Sequence, residues 1–339
     1  MMMTEFMQRA IETLAVEGVA FRPFRGERDY AAMAEIVTES YAANGIEEVK
    51  SAEEIAVEYG NLANCDPFAD IICADDASGQ LIAFNRVSWR INEAGERVYW
   101  QFGHVLPEWR RRGIGRAMLR FTENRARAHA AAHPFGGPSF LHGVGEDTAP
   151  GKIALFENAG YKPARYFFIM QRKELGDLSQ APLPAGIELR PALPEHMRAV
   201  WNAREEAFRD HWGYATKTES DYRQWADDPK NNLGLWLIAW DADSNQIAGV
   251  CLNMIPEADN QRYNLLRGWV DVLGVRRPWR GRGLARSLLI NSMCLLRERG
   301  MTEAVLGVDA ENLSGALRLY ESVGFRMLNR DALYRKPLE

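Results

Sequence analysis

The feature that most restricts the fold of this chain is an internal repeat. VAFRPFRGERDYAAMAEIV, starting at Val19, is echoed by IELRPALPEHMRAVWNARE, starting at Ile187, with Arg22-Pro23 opposite Arg190-Pro191. IICADDASGQLIAF returns as LIAWDADSNQIAGV, setting Ser78 against Ser244. PEWRRRGIGRAMLRF returns as RPWRGRGLARSLLIN, setting Trp109 against Trp279 and Gly113 against Gly283, and ALFENAGY returns as RLYESVGF, setting Gly160 against Gly324. The displacements are 168, 166, 170 and 164 residues. Four blocks in one order at nearly one displacement demand two copies of a single supersecondary plan. We therefore expect one domain over residues 1–175 and a second over 186–339, each long enough to bury its own core. KELGDLSQAPLPAG, from Lys173 to Gly186, reads as the linker between them because of its prolines and glycines.

Within each copy an extended stretch (FRPF; ELRP) leads into a helical run. Two strands follow, joined by a DDASGQ or DADSNQ turn, as in a hairpin. A third apolar strand (VYWQFGHVL; GWVDVLGV) precedes an Arg/Gly turn that opens a helix. A further strand (SFLHGVG; EAVLGVD), a short helix and a last strand (RYFFIMQR; FRMLNRDALYRKP) close the unit. The fold class is α/β of the α+β type, a sheet with helices packed on its faces.

Composition removes several classes of function. A formal net charge of -5 supplies no global basic field for nucleic acid or an anionic membrane. Cys65, Cys73, Cys251 and Cys294 form no CxxC pair and read as reduced core residues, not as a zinc site or a disulfide framework. The first residues, MMMTEFMQRAIETLAVEG, contain acids and no long apolar run, and no stretch approaches the ~20 apolar residues that span a bilayer. The expectation is a cytoplasmic protein with no metal, no nucleic acid and no membrane partner.

The Arg/Gly turn carries the chemistry. In the second copy it is Arg280-Gly281-Arg282-Gly283-Leu284-Ala285, placed after a strand and at a helix start. Glycines let the backbone approach a ligand closely, successive N–H groups face outward, and the helix dipole adds positive potential. Arg280 and Arg282 can add charge-assisted hydrogen bonds. The first copy offers Arg110-Arg111-Arg112-Gly113-Ile114-Gly115 in the same setting. A P-loop would need a Gly-Lys-Ser/Thr ending, and a dinucleotide fingerprint a third glycine and a distant acid; neither fits. The expected ligand is a pyrophosphate. Downstream lies Val308-Asp309-Ala310-Glu311-Asn312-Leu313-Ser314-Gly315-Ala316-Leu317-Arg318-Leu319-Tyr320, continuing to Gly324-Phe325. Asn312 reads as the N-cap of a helix. Ala316 and Tyr320, four apart, share a helix face, so Tyr320 can point to the groove beside the strand.

These features resemble the GNAT superfamily of acyl-CoA-dependent N-acetyltransferases, over essentially the whole chain and as two consecutive domains. The resemblance rests on the R-x-x-G-x-A/G turns, on Val275-Arg276-Arg277-Pro278-Trp279 and on the N-x-x-x-A-x-x-x-Y-x-x-x-G-F run. It implies in each domain a mixed, mostly antiparallel sheet whose fourth and fifth strands splay apart. It implies acetyl-CoA as acyl donor, its pyrophosphate on the turn (Arg280, Gly281, Arg282, Gly283, Leu284 and Ala285, with Arg110, Arg112, Gly113 and Gly115 in the first copy). The pantetheine arm would then lie in the splay near Leu273, Val275 and Asn312, and Tyr320 would protonate the departing thiolate. A neutral amine would attack the thioester directly, backbone N–H groups near Leu273 to Val275 would hold the oxyanion, and Asp271 or Asp309 would take the proton. The domain plan is similar to that of mycothiol synthase, whose acceptor is a cysteinyl amino-sugar; aminoglycoside and peptide amines stay open as acceptors.

The copies are unequal. Opposite Tyr320, Asp309 and Asp271 the first has Phe156, Gly145 and Gln101; Ala149-Pro150-Gly151 disrupts its short helix, and Lys152 replaces Ala316. The second copy is expected to be catalytic, the first to be structural or to hold CoA without turnover. In the second copy Glu206, Phe208, Asp210, His211 and Trp212 suit a cationic amine through charge and cation–π contact. Phe208 and Trp212 also fit a plain core role, being four apart on a helix. A non-catalytic CoA-binding module and a nucleic-acid binder using Arg110-Arg111-Arg112 are the competing classes. The expected state is monomer or homodimer.

Overall fold

The computed structural model describes residues 11, 13–312 and 315–339. The first ten residues, and Leu313 and Ser314 of the run above, lie outside the described residues. The first copy runs β1 (Val19–Pro23), α1 (Glu27–Ala42), α2 (Ala52–Gly60), α3 (Pro67–Asp70), β2 (Ile71–Asp76), β3 (Leu81–Ile91), β4 (Arg97–Val105), α4 (Ile114–Ala132), β5 (Ser139–Glu146), α5 (Pro150–Asn158) and β6 (Lys162–Lys173). The second runs β7 (Ile187–Arg190), α6 (Met197–Phe208), α7 (Glu219–Ala226), β8 (Leu237–Asp241), β9 (Gln246–Met254), α8 (Glu257–Tyr263), β10 (Arg267–Val275), α9 (Leu284–Glu298), β11 (Glu303–Asp309), α10 (Ala316–Ser322) and β12 (Arg326–Pro337). The expected α+β class holds: the sheets are mixed and mostly antiparallel.

Contacts gather the chain into two compact units. The first consists of Met1–Arg165, Thr218–Pro229 and Asp331–Glu339; the second of Tyr166–Lys217 and Lys230–Arg330. In the first unit the strand order is β1-β2-β3-β4-β5 followed by the second half of β12, which pairs antiparallel with β5 from Asp331↔Glu146 to Pro337↔Phe140. In the second unit it is β7-β8-β9-β10-β11 followed by the second half of β6, antiparallel to β11 from Glu303↔Lys173 to Asp309↔Phe167. Each copy's closing strand thus leaves its own unit midway and completes the sheet of the other. The α7 turn of the second copy also belongs to the first unit, where Arg90 donates to the Asp221 carboxylate at 2.9 Å and Ser220 Oγ to Asn61 O at 2.8 Å.

Local sequence explains the elements. IICADD is buried over its first five residues, as expected for a strand covered on both faces. Ile114, Ala117, Met118 and Phe121 repeat with helical spacing and bury one stripe of α4 against Phe21, Ile72 and Phe84. Leu284, Leu288, Met293 and Leu296 do the same for α9 against Val270 and Val308. Ser51 with Glu54, and Thr218 with Asp221, cap α2 and α7 through reciprocal boxes. The Lys173–Gly186 segment is seated along α9. Leu175 is buried, Asn291 exchanges two hydrogen bonds of 2.9 Å with the Ala181 backbone, and Ser287 Oγ donates to Pro182 O at 2.7 Å.

Candidate active site

Both Arg/Gly turns sit between a parallel-paired strand and a helix, and both leave that helix uncapped. Gly113 (φ 92) and Gly283 (φ 82) occupy the N-cap positions of α4 and α9 in the left-handed region, and neither helix start has a side-chain cap. The free N–H groups of the first turn therefore face outward, unlike those of α2 and α7. A Cβ added at Gly281 or Gly283 meets nothing within 4 Å, so the backbone there is open to a ligand. This fits a pyrophosphate held by N–H groups at Gly283, Leu284 and Ala285.

The first arginine of each turn does something else. Arg280 donates to Val275 O (2.9 Å), Ala207 O (2.9 Å) and Asp210 (2.7 Å). Arg110 likewise donates to Val105 O (3.3 Å), Ser40 O (3.0 Å), Ser40 Oγ (2.9 Å) and Asn44 Oδ1 (2.9 Å). In both copies it ties the strand end to the C-terminus of the preceding long helix, a bracing role that the sequence reading did not include. Arg112 lies over the Trp109 ring at 4.5 Å and donates to Glu108 O. Arg111, which the sequence reading did not count among the cofactor-binding residues, lines a cleft of about 890 Å³ in the first unit together with Arg110, Gly113 and Gly115. The available signal was its place opposite Gly281, since Arg111 shares its left-handed conformation (φ 65 against 76).

The expected splay is present in both units. β10 and β11 pair in parallel only from Arg267↔Glu303 to Trp269↔Val305, and β4 and β5 only from Arg97↔Ser139 to Trp100↔His142. The units differ just beyond these pairs. The β10–β9 register shifts between Val270 and Val272, so Asp271 is the extra residue of a bulge and is exposed. β4 pairs with β3 without a shift from Ala83↔Val105 to Ile91↔Arg97. At the position of Asp271, Gln101 turns into the core, donating to the Tyr161 hydroxyl and accepting from Thr122 Oγ1.

Tyr320 on α10 is 8% exposed and packs beside Phe325 with ring centroids 6.1 Å apart. Among the described residues no partner takes up its hydroxyl, and burial holds the phenol above its ordinary titration range. Its counterpart Phe156 is buried, stacked on Tyr334 at 5.7 Å, and its ring fills the space beside Gly143. Asp309 lies at the end of β11, where its Oδ1 accepts from Glu311 N at 3.0 Å. Gly145, its counterpart, faces Tyr334 from the exchanged strand.

Several local readings need correction. The N-cap of α10 is Gly315 (φ 76), not Asn312, whose N–H donates to Asp309 O. Pro150 does not disrupt the first copy's helix: it occupies the first turn of the nine-residue α5, where a missing N–H costs nothing. Helix α6 ends at Phe208, so Phe208 and Trp212 do not share a helix face. Glu206 pairs with Arg276 at 2.7 Å, and Asp210 with Arg277 and Arg280, whose hydrogen bonds hold its carboxyl well below the usual range. These two acids brace the turn. Trp212 is 37% exposed. Phe208 packs over Gly274 of β10 and against His211, ring centroids 4.4 Å apart. Burial lowers the His211 imidazole, with the Asp309 and Asp210 charges opposing the shift and Arg280 adding to it. Among the described residues no His/Cys/Asp/Glu group is arranged to hold a metal, and no helix is long and apolar enough to cross a membrane.

Comparison with known proteins gives the same picture. The profile of the acetyltransferase (GNAT) family matches residues 197–325, and that of an acetyltransferase (GNAT) domain matches residues 67–163. The chain is 32% identical over 257 residues to a mycothiol acetyltransferase of Thermobifida fusca, covering 69% of this chain and 73% of that one. A mycothiol acetyltransferase of Geodermatophilus obscurus is 28% identical over 314 residues, covering 90% and 94%. The crystal structure of a GCN5-related N-acetyltransferase from Sphaerobacter thermophilus superposes with a TM-score of 0.69 at 27% identity, covering 96% and 98%. A tandem GNAT protein from the clavulanic acid biosynthesis pathway shares the fold, with a TM-score of 0.66 at 15% identity over 95% and 99% of the two chains. Two uncapped turns, two splayed strand pairs and these relatives together place the chain in the GNAT family, as a tandem N-acetyltransferase.

Proposed function

We propose that the chain moves an acetyl group to a primary amine of a small molecule, with the chemistry in its second half (186–339) and a CoA-shaped cleft without turnover in its first (1–175). The observation that carries this reading is the asymmetry at one level of the two splays. The second unit has a bulge at Asp271 and a Tyr320 hydroxyl with no partner among the described residues, where the first has a regular strand, a buried Gln101 and Phe156.

Acetyl-CoA, when bound, supplies the thioester acetyl group. The N–H groups of Gly283, Leu284 and Ala285, with Arg282 beside them, bind the pyrophosphate. Backbone N–H groups between Leu273 and Val275 hold the carbonyl oxygen, where a preorganised donor acts without reorganisation. Asp271 or Asp309, directly or through water, takes a proton from the amine nitrogen. Tyr320 gives its hydroxyl proton to the departing sulfur. Phe208 and His211 line the acceptor side. The similarity to mycothiol acetyltransferases favours a cysteinyl amino-sugar as acceptor.

Thiol release from acetyl-CoA across a panel of amines tests the assignment. Tyr320→Phe is expected to lower kcat about 10²-fold or more with little change in the KM for acetyl-CoA. Unchanged turnover in that variant, together with loss of turnover in Arg111→Ala, would reverse the roles of the two halves.

A further inference from the structure

The second copy sends one stretch of chain out of its own unit, between two stretches that stay in it. We propose that Arg90, from the first half, is a positioning residue for the reaction of the second: its grip on Asp221 sets the loop of residues 209–217. The proposal rests on the assignment, made above, of Phe208 and His211 to the acceptor side.

Thr218–Pro229 belongs to the first unit, whereas Tyr166–Lys217 and Lys230–Arg330 belong to the second. The excursion contains α7, the counterpart of α2. Thr218 and Asp221 stand 167 residues after Ser51 and Glu54, within the displacement of the repeat, and both pairs form the same capping box. The two helices are held differently. Helix α2 is seated by apolar burial, with Ile55 and Tyr59 in the first unit's core. Helix α7 has no buried residue. Apolar area therefore contributes little to its seat, and the hold passes to polar contacts.

Arg90 Nη1 donates to Asp221 Oδ2 at 2.9 Å and its Nη2 to Oδ1, the two-pronged geometry of a strong arginine–carboxylate pair. The two side chains are 24% and 10% exposed, so water screens the pair only in part. Oδ2 also accepts from Thr218 N and Thr218 Oγ1, both at 2.7 Å, so one carboxylate closes the helix cap and the ion pair together. Burial would raise the Asp221 carboxyl, but Arg90 and Thr218 hold it down to about 2, and the pair is charged at neutral pH. Ser220 Oγ adds its bond to Asn61 O, just past the end of α2.

Only nine residues lie between Phe208, where α6 ends, and Thr218. Early in this loop Asp210 is fixed by Arg277 and Arg280, and the Tyr214 hydroxyl donates to Glu205 at 3.2 Å. The far end is fixed by the Arg90–Asp221 pair. So short a loop has little slack, and freeing its far end reaches His211 and Trp212.

Hydrogen exchange of the full chain tests the tether. Thiol release from acetyl-CoA, with the fastest of glucosamine, benzylamine and putrescine as acceptor, tests its role. Arg90→Ala is expected to speed exchange over 209–217 as well as over α7. It should raise the KM for the amine about fivefold or more while the KM for acetyl-CoA stays unchanged. Asp221→Asn, which keeps a capping oxygen, should do the same, and the double variant should be no worse than either single one. Arg90→Lys, which keeps the charge without the fork, should fall between Arg90→Ala and the unaltered protein. Arg22→Ala breaks the ion pairs with Asp29 and Asp75 at β1, weakening the first unit elsewhere, and should leave the amine KM unchanged. A purely structural pair would loosen α7 alone. Unchanged exchange over 209–217 in Arg90→Ala, faster exchange there with an unchanged amine KM, or an equal rise in Arg22→Ala overturns the proposal. No amine-dependent thiol release from the unaltered protein would instead overturn the underlying reading, and the proposal with it.

Discussion

Arg111 and Gly281 occupy equivalent places with nearly the same left-handed backbone, but only the glycine does so without a steric penalty. Arg111→Gly should therefore raise the unfolding free energy by about 0.5–1 kcal/mol, read by denaturant titration. The same change should weaken CoA binding to the first unit, because Arg111 lines its cleft; an arginine kept in strain for no ligand would show only the first effect. Tyr320 carries a prediction in pH. Its folded titration point is raised, so the hydroxyl stays protonated, and able to donate, past the ordinary value of about 10. The alkaline side of the kcat profile should show no downturn assignable to Tyr320 up to that pH. At this scale the sequence was legible for residue type and much less for residue orientation. Arg280, Glu206 and Asp210 carry the charges a ligand site needs, but the Arg280 guanidinium spends its donors on two backbone carbonyls, each at 2.9 Å. Composition does not tell a brace from a clamp.

Strands and helices were the most readable level, because apolar spacing and turn chemistry are written locally. The hairpin turns and the strand-turn-helix setting of both Arg/Gly motifs follow that pattern, whereas the splay was expected only from the family resemblance. Two readings failed for local reasons. Pro150 was read as a breaker although the first turn of a helix tolerates it, and the helical spacing of Phe208 and Trp212 continued past the point where α6 stops. The Asp271 bulge was not legible at all, since GWVDVLGV reads simply as an apolar strand and the extra residue shows only against β9. It carries a direct test. Deleting Asp271 should restore a regular ladder like that of β4, keeping the circular dichroism spectrum while lowering kcat about 10²-fold or more. Asp271→Asn, which keeps the bulge and removes the charge, then separates its backbone role from its role as a base.

The repeat announced two copies, but nothing in it announced that the copies exchange their closing strands. Both β6 and β12 are good strands in either place, and the choice is made by pairing partners more than a hundred residues away. The exchange predicts the behaviour of the halves. A fragment ending at residue 175 lacks Asp331–Pro337, so the outer edge of β5 is bare; a fragment from 186 onward lacks Tyr166–Lys173 and bares β11. Each alone should associate or lose protection in hydrogen exchange, while the two expressed together should recover the protection of the intact chain. A monomeric, fully protected 1–175 fragment would contradict this. The crossing also bears on how such a gene can change. Point mutations can make the copies diverge, as Phe156 opposite Tyr320 illustrates, but a deletion that sheds one copy would also strip a strand from the survivor. Either half would then be kept as a scaffold for its neighbour, whatever became of its own reaction.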